Sequence, residues 1–409
     1  MEQRSTSQDG LLKFEQEGFF DRQERIYWWA QDVLSQAKVM VVGAGAIGNE
    51  VLKNLALLGV GYIFVVDFDE IEPSNLSRTV LFRKEDLGKK KVEVAAQRTA
   101  ELALAKDFTI DWFHGDAIWE LGLGIYNEMD LVLGCLDNVE TRFAVNRSCW
   151  LTETPWIDAG IKELNGSITP YYPPEAPCYA CGTAKYLASE RQERYSCFDF
   201  KKKQHAAGKV ATVQIGAAWV AALQVQEAVK LLHGDQRNVG YKLLFEGQLN
   251  EFERIKLPEH PNCPIHPLDS IKSIVPIRLS NQASLKEFLS EVSQPAYGIN
   301  QPSLDISHEP WQFIEQIGKN DKAIPFNKPH FQIFQEDIIA SGAGFDWHKK
   351  TASTFSLSQT TQPRLDLSLA EIGVPKGHIV TVKDKLGKAY HFLLNSDVSD
   401  LLKNYKNVD

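Results

Sequence analysis

The feature that most constrains the fold is an alternation of apolar runs and amphipathic segments between residues 38 and 161. The runs that predict strands lie at 39–42, 62–66, 108–113, 130–136 and 156–161, and the segments that predict helices lie at 49–58, 89–102 and 139–150. Strands that are apolar throughout and alternate with helices are typical of a parallel sheet covered on both faces. The sequence therefore predicts an α/β fold with a doubly wound, mostly parallel sheet.

The second half of the chain has a different order of predicted strands and helices. Residues 166–172 and 241–257 predict an antiparallel extension of the sheet, the latter as a hairpin. Between them lie a charged stretch at 185–209 and an apolar helix at 210–232. Later segments predict short strands at 274–279, 331–334, 378–382 and 390–394, short helices at 285–292 and 398–405, and a Ser/Thr/Gln-rich loop at 349–362. We expect two domains, a large one at 1–270 and a small α+β one at 271–409.

Composition excludes several classes of protein. With 409 residues, 44% hydrophobic and 24% charged, the chain is too long for one ordinary domain and apolar enough for a large core. Its formal net charge of -9 argues against a nucleic-acid or anionic-membrane partner. The N-terminus has no apolar run that could serve as a secretory signal. Polar residues such as Gln224 and Glu227 interrupt the longest apolar stretch, which argues against a membrane span. We expect a cytoplasmic protein.

A glycine-rich loop follows the first predicted strand. Gly43, Gly45 and Gly48 open the helix that begins near Asn49, where glycines permit a tight turn and let a phosphate reach backbone N–H groups. Asp67 ends the next strand, where its carboxylate can accept hydrogen bonds from ribose hydroxyls. The loop predicts a nucleotide site, and the alternative is a tight turn without a ligand.

The residues beyond Asp67 favour ATP over NAD. An amide, a guanidinium and an ammonium group follow at Asn75, Arg78 and Lys91, and these groups suit a triphosphate rather than a nicotinamide ring.

Another predicted strand ends at Asp137 and Asn138, at the sheet edge where ligands of open α/β folds gather. A carboxylate there can hold Mg²⁺ between phosphate oxygens. The alternative is that either residue only caps the helix that follows.

Taken in order, these motifs resemble a known family. The matching positions are Asp67-x-Asp69, Asn75-Leu76-x-Arg78, Lys91 and Leu136-Asp137-Asn138. They are similar to the adenylation domain shared by ubiquitin-activating enzymes and by the bacterial adenylyltransferases of thiamine and molybdopterin biosynthesis. The resemblance spans roughly residues 14–270 and implies binding of ATP and Mg²⁺. The chain departs from the family pattern at Ala46, where glycine is usual, and at Thr79, where glutamine is usual.

The resemblance also implies a homodimer. Phe20-Asp21-Arg22-Gln23 matches an N-terminal segment of the family whose arginine reaches the phosphates of the partner subunit's ATP. By that resemblance Arg22 acts across the dimer.

Two cysteine motifs predict a metal site. Cys178 and Cys181 have the spacing of a zinc knuckle. Cys263 and His266 lie where the resembling family often places a second cysteine pair, and histidine is an equally competent zinc ligand. Four protein ligands close the coordination sphere, so the expected zinc is structural. The alternative is four unrelated residues.

Cys197 is the candidate nucleophile. It lies in the charged stretch, and nearby Arg194 and Lys201–Lys203 favour the thiolate. The resembling family places its thioester-forming cysteine in such a crossover loop, and the alternative is a surface cysteine without a role. We expect Cys135 and Cys149 to be core residues.

Together these features predict ATP-dependent activation of a ubiquitin-like or sulfur-carrier protein that ends in glycine. The catalytic candidates are Arg22, Arg78, Lys91, Asp137 and Cys197. The last cysteine is Cys263, so no rhodanese-like loop is evident after residue 270, which favours transfer to a conjugating enzyme or a sulfur donor acting in trans. Alternatives are a sulfur-carrier adenylyltransferase, a noncatalytic dimeric scaffold and an NAD-dependent oxidoreductase.

Overall fold

A computed structural model describes residues 18–182 without 119 and 176, residues 212–305 without 262 and 264, and residues 354–356 and 366–403. The strands of its larger sheet are β1 (Lys38–Val42), β2 (Tyr62–Asp67), β3 (Thr109–His114), β4 (Leu131–Gly134), β5 (Trp156–Lys162), β6 (Asn165–Tyr171), β7 (Tyr241–Glu246) and β8 (Glu251–Lys256). These eight strands lie in the order β3-β2-β1-β4-β5-β6-β7-β8. The pairs among β1–β5 are parallel, and those from β5 to β8 are antiparallel.

Helices cover both faces of the parallel part. They are α1 (Asp21–Glu24), α2 (Gln31–Gln36), α3 (Ala46–Leu58), α4 (Lys91–Leu102), α5 (Leu123–Asn127), α6 (Val139–Thr152) and α7 (Gln214–Leu232). Val39 and Val41 of β1 share a core with α3, α4 and α7, whereas Met40 and Val42 point into a second core with α5 and α6. Successive side chains of a strand face opposite ways, so a strand covered twice must be apolar at every position. The predicted doubly wound sheet is confirmed.

The strand order reverses direction between β1 and β4. From β1 the chain proceeds outward through β2 and β3, then returns to the other side of β1 at β4. The loops at the carboxyl ends of β1 and β4 therefore diverge, and ligands of open α/β folds bind in the crevice that this divergence creates.

The predicted antiparallel extension and its hairpin are also confirmed. Strand β6 pairs with both β5 and β7, and β7 turns back into β8 with Tyr241 opposite Lys256. The long apolar helix α7 packs against α3 and β5. Among the described residues it is the one helix whose length and composition would suit a membrane span, but half of that window is buried inside the protein. In this fold α7 is a core helix.

A second sheet with its own core follows. Its strands are β9 (Ile274–Ile277), β10 (Ser303–Asp305), β11 (Thr354–Ser356), β12 (Ile379–Lys383) and β13 (Ala389–Leu394), in the order β11-β10-β12-β13-β9, with helices α8 (Leu285–Val292) and α9 (Asn395–Leu401). Helix α8 buries Phe288 and Leu289 against this sheet. The predicted helix at 398–405 begins earlier, at Asn395, and the predicted strand at 331–334 lies outside the described residues.

The segment before β12 docks against the start of α5 through backbone contacts. The Gly122 amide donates to the Lys376 carbonyl at 2.8 Å, and the Gly124 amide donates to the Gly377 carbonyl at 2.8 Å. Leu393 joins the core formed beneath α5. A Cβ atom at Gly122 would lie 2.3 Å from the backbone nitrogen of His378. Glycine at this position is therefore required by the close approach of two backbones.

Gly122→Ala tests this docking. Because the added methyl group meets backbone atoms that cannot rotate away, we expect the variant to lose about 1–3 kcal/mol of stability. Differential scanning calorimetry measures the change. Gly18→Ala is the control, since a Cβ there meets no atom within 4 Å in the part of the chain that the structure describes. Equal melting temperatures for wild type and Gly122→Ala would contradict the described contact.

Candidate nucleotide site and metal centre

The glycine loop closes tightly on the neighbouring strand. Gly43 has φ +99°, and its amide donates to the Val66 carbonyl at 2.8 Å. A Cβ at Gly43 would lie 2.4 Å from the Cys135 carbonyl oxygen, and a Cβ at Gly48 would lie 1.9 Å from the Gly43 carbonyl oxygen. At Gly45, by contrast, an added Cβ would have no atom of the described residues within 4 Å, apart from its chain neighbours. Two of the three glycines serve packing, and the third leaves room for a ligand to approach the loop.

Asp67 joins the end of β2 to this loop. Its Oδ2 accepts a hydrogen bond from the Ala44 amide at 2.7 Å, and its Oδ1 accepts one from the Asp69 amide at 2.8 Å. Burial raises the pKa of the Asp67 carboxyl, while the nearby Lys91 ammonium opposes that rise. Each carboxylate oxygen has a second lone pair for another donor. The residue can therefore organise the loop and still accept a hydroxyl.

The other predicted nucleotide contacts lie beyond β2. Lys91, which is buried, pairs with the half-exposed Asp69 at 2.6 Å. The Asn75 side-chain oxygen accepts from the Glu72 amide at 2.9 Å, which leaves the Asn75 amide group as its remaining donor. Arg78 Nη1 donates to the Ser74 carbonyl at 2.6 Å. The structure thus brings Lys91 and Asp69 together beside Asp67, and uses part of Asn75 and Arg78 to hold their own turn.

Asp137 and Asn138 follow β4 on the other side of the crevice. The Asn138 side chain accepts from the Thr141 amide at 2.7 Å and caps α6, so the capping alternative holds for this residue. Its amide group also donates to Asp137 Oδ1 at 3.2 Å. Asp137 itself is exposed. An exposed carboxylate at this edge of the sheet can bind a cation.

Arg22 lies far from the glycine loop of its own chain. Its neighbour Gln23 donates to the Leu58 carbonyl at 3.1 Å, at the carboxyl end of α3, whereas the glycine loop is at the amino end. A helix of 13 residues is about 20 Å long. Arg22 is exposed on α1. The length of α3 therefore separates Arg22 from the glycine loop of its own chain.

The four predicted metal ligands form one cluster. The ligand atoms of Cys178, Cys181, Cys263 and His266 all lie within 4.8 Å of one another. Cys178 Sγ is 3.5 Å from Cys263 Sγ, and Cys181 Sγ is 3.3 Å from His266 Nε2. Tetrahedral zinc, with bonds of about 2.3 Å to sulfur and about 2.0 Å to nitrogen, requires separations of roughly 3.5 Å. The donor set and its spacing fit zinc.

Helix α6 supports this cluster from one side. The Trp150 indole stacks on the His266 ring with centroids 4.8 Å apart, and its Nε1 donates to the Leu268 carbonyl at 3.1 Å. The Asn146 side chain accepts from the Tyr179 amide at 3.0 Å, between the two knuckle cysteines. Such contacts orient metal ligands before the metal binds.

Arg142, Asn146 and Trp150 were not predicted as site residues from the sequence. Asn138, Arg142, Asn146 and Trp150 recur every fourth position and so share one face of α6. This four-residue spacing is the sequence feature that could have predicted a shared polar face on the helix. Gln224 was noted only as a polar interruption of an apolar helix, yet its side chain is fully buried and hydrogen-bonded.

The remaining cysteines are Cys135, Cys149 and Cys197. Cys149 is buried in the core, as predicted, and Cys135 is partly buried beside Gln224. Burial raises the pKa of both thiols. Cys197 and the stretch 185–209 lie outside the described residues.

Comparison with known proteins identifies the family. The sequence model of the ThiF family matches residues 17–265, more than half of the chain. The chain belongs to the ThiF family. The match ends near the point where the second sheet begins, in agreement with the predicted extent of the resemblance.

Two curated relatives and one solved structure illustrate the range of the family. The sulfur carrier protein ThiS adenylyltransferase of Escherichia coli (strain K12) is 30% identical over 236 residues, covering 58% of this chain and 88% of that protein. SUMO-activating enzyme subunit 2 of Dictyostelium discoideum is 36% identical over 151 residues, covering 37% of this chain and 22% of that protein. The crystal structure of E. coli MccB covers 64% of this chain and 75% of its own, with 23% identity and a TM-score of 0.50, and shows a shared fold.

The metal cluster generates a prediction of composition and stability. We expect one zinc ion per chain in protein purified without chelators. Cys178→Ser and His266→Ala should each lose the ion and lower the melting temperature, because binding at a closed site contributes directly to folding. Elemental analysis and calorimetry measure both quantities.

Cys149→Ser is the matched control, because it alters a buried cysteine outside the cluster. It should retain zinc whatever its stability. Zinc-free wild-type protein would refute the assignment.

Proposed function

We propose that this protein uses ATP to activate the C-terminal glycine of a small carrier protein. The carrier carboxylate would attack the α-phosphorus of ATP, the bond to the β-phosphate oxygen would break, and an acyl adenylate and pyrophosphate would form. The observation that carries the proposal is the grouping of Asp67, Asp69 and Lys91 beside the glycine loop in a ThiF-family chain. Adenylyltransferases are among its relatives.

The proposed roles follow the chemistry of each group. Gly43, Gly45 and Gly48 would admit the phosphates to the loop, and Asp67 would accept the ribose hydroxyls. The residues that would contact the nucleotide are Asp69, Asn75 and Asn138. Arg78 and Lys91 would neutralise charge that develops on the phosphates. Asp137 would hold Mg²⁺, which supplies charge neutralisation when bound. Catalysis would be mainly positional and electrostatic.

We also infer that the active unit is a homodimer in which Arg22 completes the partner's site. Support comes from the position of α1 at the far end of α3, anchored by Gln23 and exposing Arg22. The Cys178, Cys181, Cys263 and His266 cluster would hold a structural zinc, since four protein ligands leave no open position. We expect the protein to act in the cytoplasm.

After adenylation, two routes are open. In the first, the Cys197 thiolate attacks the acyl adenylate, AMP leaves, and the thioester passes to a conjugating enzyme, with residues 271–409 recruiting a partner. In the second, the chain is an adenylyltransferase for a sulfur carrier in cofactor biosynthesis. The extent of the match favours the second, because it covers 88% of the ThiS adenylyltransferase and 22% of the SUMO-activating subunit. A noncatalytic dimeric scaffold is the further alternative.

Adenylation should depend on the charged residues more than on stability. Asp137→Ala and Arg78→Ala should reduce carrier-dependent exchange of pyrophosphate into ATP by about 100-fold or more, since both remove electrostatic stabilisation of the transition state. The melting temperature of Asp137→Ala should stay close to that of the wild type, because substitution of an exposed charge has a small effect on stability. Arg78→Ala also removes the hydrogen bond to the Ser74 carbonyl, so a small decrease in its melting temperature is expected. The assay uses small proteins that end in glycine as candidate carriers.

Asp107→Ala is the matched control. This exposed carboxylate lies before β3, at the amino edge of the sheet and away from the crevice. It should exchange pyrophosphate like the wild type. Wild-type exchange in both Asp137→Ala and Arg78→Ala would refute the ATP assignment.

The role of Cys197 is tested separately. Cys197→Ala should leave pyrophosphate exchange intact, because adenylation needs no enzyme nucleophile, and should abolish a reductant-sensitive conjugate with the carrier on a nonreducing gel. Cys197→Ser should convert that conjugate to a reductant-resistant ester. A conjugate that persists in Cys197→Ala would identify another cysteine. A wild type that adenylates the carrier without forming a conjugate would support the sulfur-carrier route.

A further inference from the structure

The strands β4 and β5 separate at the edge that carries Asp137. Their parallel ladder runs from Val132 opposite Trp156 to Gly134 opposite Asp158 and then stops. Beyond that point the chain after β4 turns toward α6, while β5 continues to Lys162 and pairs with β6. The carbonyl groups at the end of a ladder lose their usual donors and require others when they are buried.

Two side chains supply those donors from opposite faces of the sheet. Gln224 Nε2, on α7, donates to the Gly134 carbonyl at 3.1 Å and to the Ile157 carbonyl at 2.9 Å. Arg142 Nη2, on α6, donates to the Leu136 carbonyl at 2.6 Å and to the Ala159 carbonyl at 3.0 Å. Gln224 thus bridges β4 to β5, and Arg142 bridges the segment after β4 to β5, two residues further along the chain on each side. We call Gln224 and Arg142 the β4–β5 clamp.

The clamp is held firmly in place. Gln224 is 0% exposed, and its Oε1 is 3.5 Å from the Cys135 thiol. Arg142 Nε donates to Asp158 Oδ1 at 2.8 Å, and the side chains of this ion pair are 15% and 13% exposed. A guanidinium that already bonds one carboxylate and two carbonyls has little freedom to reach a phosphate. The geometry therefore favours a positioning role over direct contact with substrate.

The clamp borders the residues of the proposed nucleotide site. Asp137 lies between Leu136, whose carbonyl Arg142 holds, and Asn138, whose side chain caps α6. Gln224 holds Gly134, which directly precedes Cys135, and the Cys135 backbone is the surface against which Gly43 packs. The two clamp residues therefore constrain the turn that carries Asp137 and the strand end that supports the glycine loop.

We propose that Gln224 and Arg142 are positioning residues that hold the Asp137 carboxylate in place for Mg²⁺-bound ATP. This inference rests on the proposed function, because it takes Asp137 as the magnesium ligand. Residues that orient a metal ligand usually change metal affinity when they are altered. Loss of the clamp should therefore weaken the response to Mg²⁺ while the protein remains folded.

Arg142→Lys and Gln224→Met test the proposal in the full-length chain. Lysine keeps a positive charge near Asp158 but loses the second branch of the guanidinium, and methionine keeps the approximate volume of glutamine without its donor. Calorimetric titration of ATP at a series of Mg²⁺ concentrations measures the effect. We expect the Mg²⁺ concentration for half-maximal ATP binding to rise about 10-fold or more.

Controls distinguish a loss of Asp137 positioning from a general loss of structure. Zinc content should be unchanged, and Arg237→Lys, an exposed arginine paired with Asp235, should respond to Mg²⁺ like the wild type. In an Asp137→Asn background the clamp substitutions should cause no further shift, because the ligand that they position is already altered. Gln224→Asn provides a second, polar substitution if Gln224→Met does not fold.

An unchanged Mg²⁺ response in folded Arg142→Lys and in a folded Gln224 variant would overturn the proposal. The proposal would also be overturned if the clamp substitutions raised the half-maximal Mg²⁺ concentration equally in the Asp137→Asn background. A wild type that binds no ATP in the presence of Mg²⁺ would overturn it as well. The binding experiment contains no carrier protein, so it is independent of the reaction. A wild type that binds ATP with Mg²⁺ but catalyses no carrier-dependent exchange would refute the proposed reaction. The titrations of the clamp variants would then still decide whether the clamp positions Asp137.

Discussion

The close approach of two backbones, at Gly43 and Cys135, is the constraint on which the rest of the crevice depends. A methyl group at Gly43 would lie 2.4 Å from the Cys135 carbonyl oxygen, so the ends of β1 and β4 could not be this close with any larger residue. Asp67 adds a second tie from β2 through the Ala44 amide. Three strand ends therefore converge on one loop. That convergence places the buried Lys91 ammonium and the exposed Asp137 carboxylate on the same edge of the sheet.

Helix α6 joins this edge to the metal cluster. Asn138 caps its first turn, and Arg142 bonds the diverging ends of β4 and β5. Asn146 and Trp150 then contact the zinc knuckle and His266. Asn146 and Trp150 are buried, and buried polar groups are costly without partners, so their hydrogen bonds to Tyr179 and Leu268 restrict how the helix packs. One helix thus supports both the candidate metal cluster and the turn that carries Asp137.

Several elements could be predicted because local chemistry decides them. The runs at 39–42 and 62–66 are apolar at every position, which is possible only where both faces of a strand are covered. Cys178 and Cys181 could be assigned to a metal site because their spacing lets two thiolates reach one ion. Asn138 shows the limit of such reasoning: its place after a strand suited both a nucleotide contact and a helix cap, and the cap is what its side-chain oxygen forms.

The sequence by itself determined the α/β class, the position of the glycine loop and the candidate metal-binding motifs, because each depends on residues that lie close together in the chain. Only the tertiary structure revealed that Gln224 and Arg142, 82 positions apart, close on the same pair of strands. It also decided that Cys178 and Cys263 meet at 3.5 Å, and that Lys91 faces Asp69. Such pairings depend on the register of strands and on the faces that helices present. Those features are set by packing over the whole domain, and no local pattern of residues encodes them.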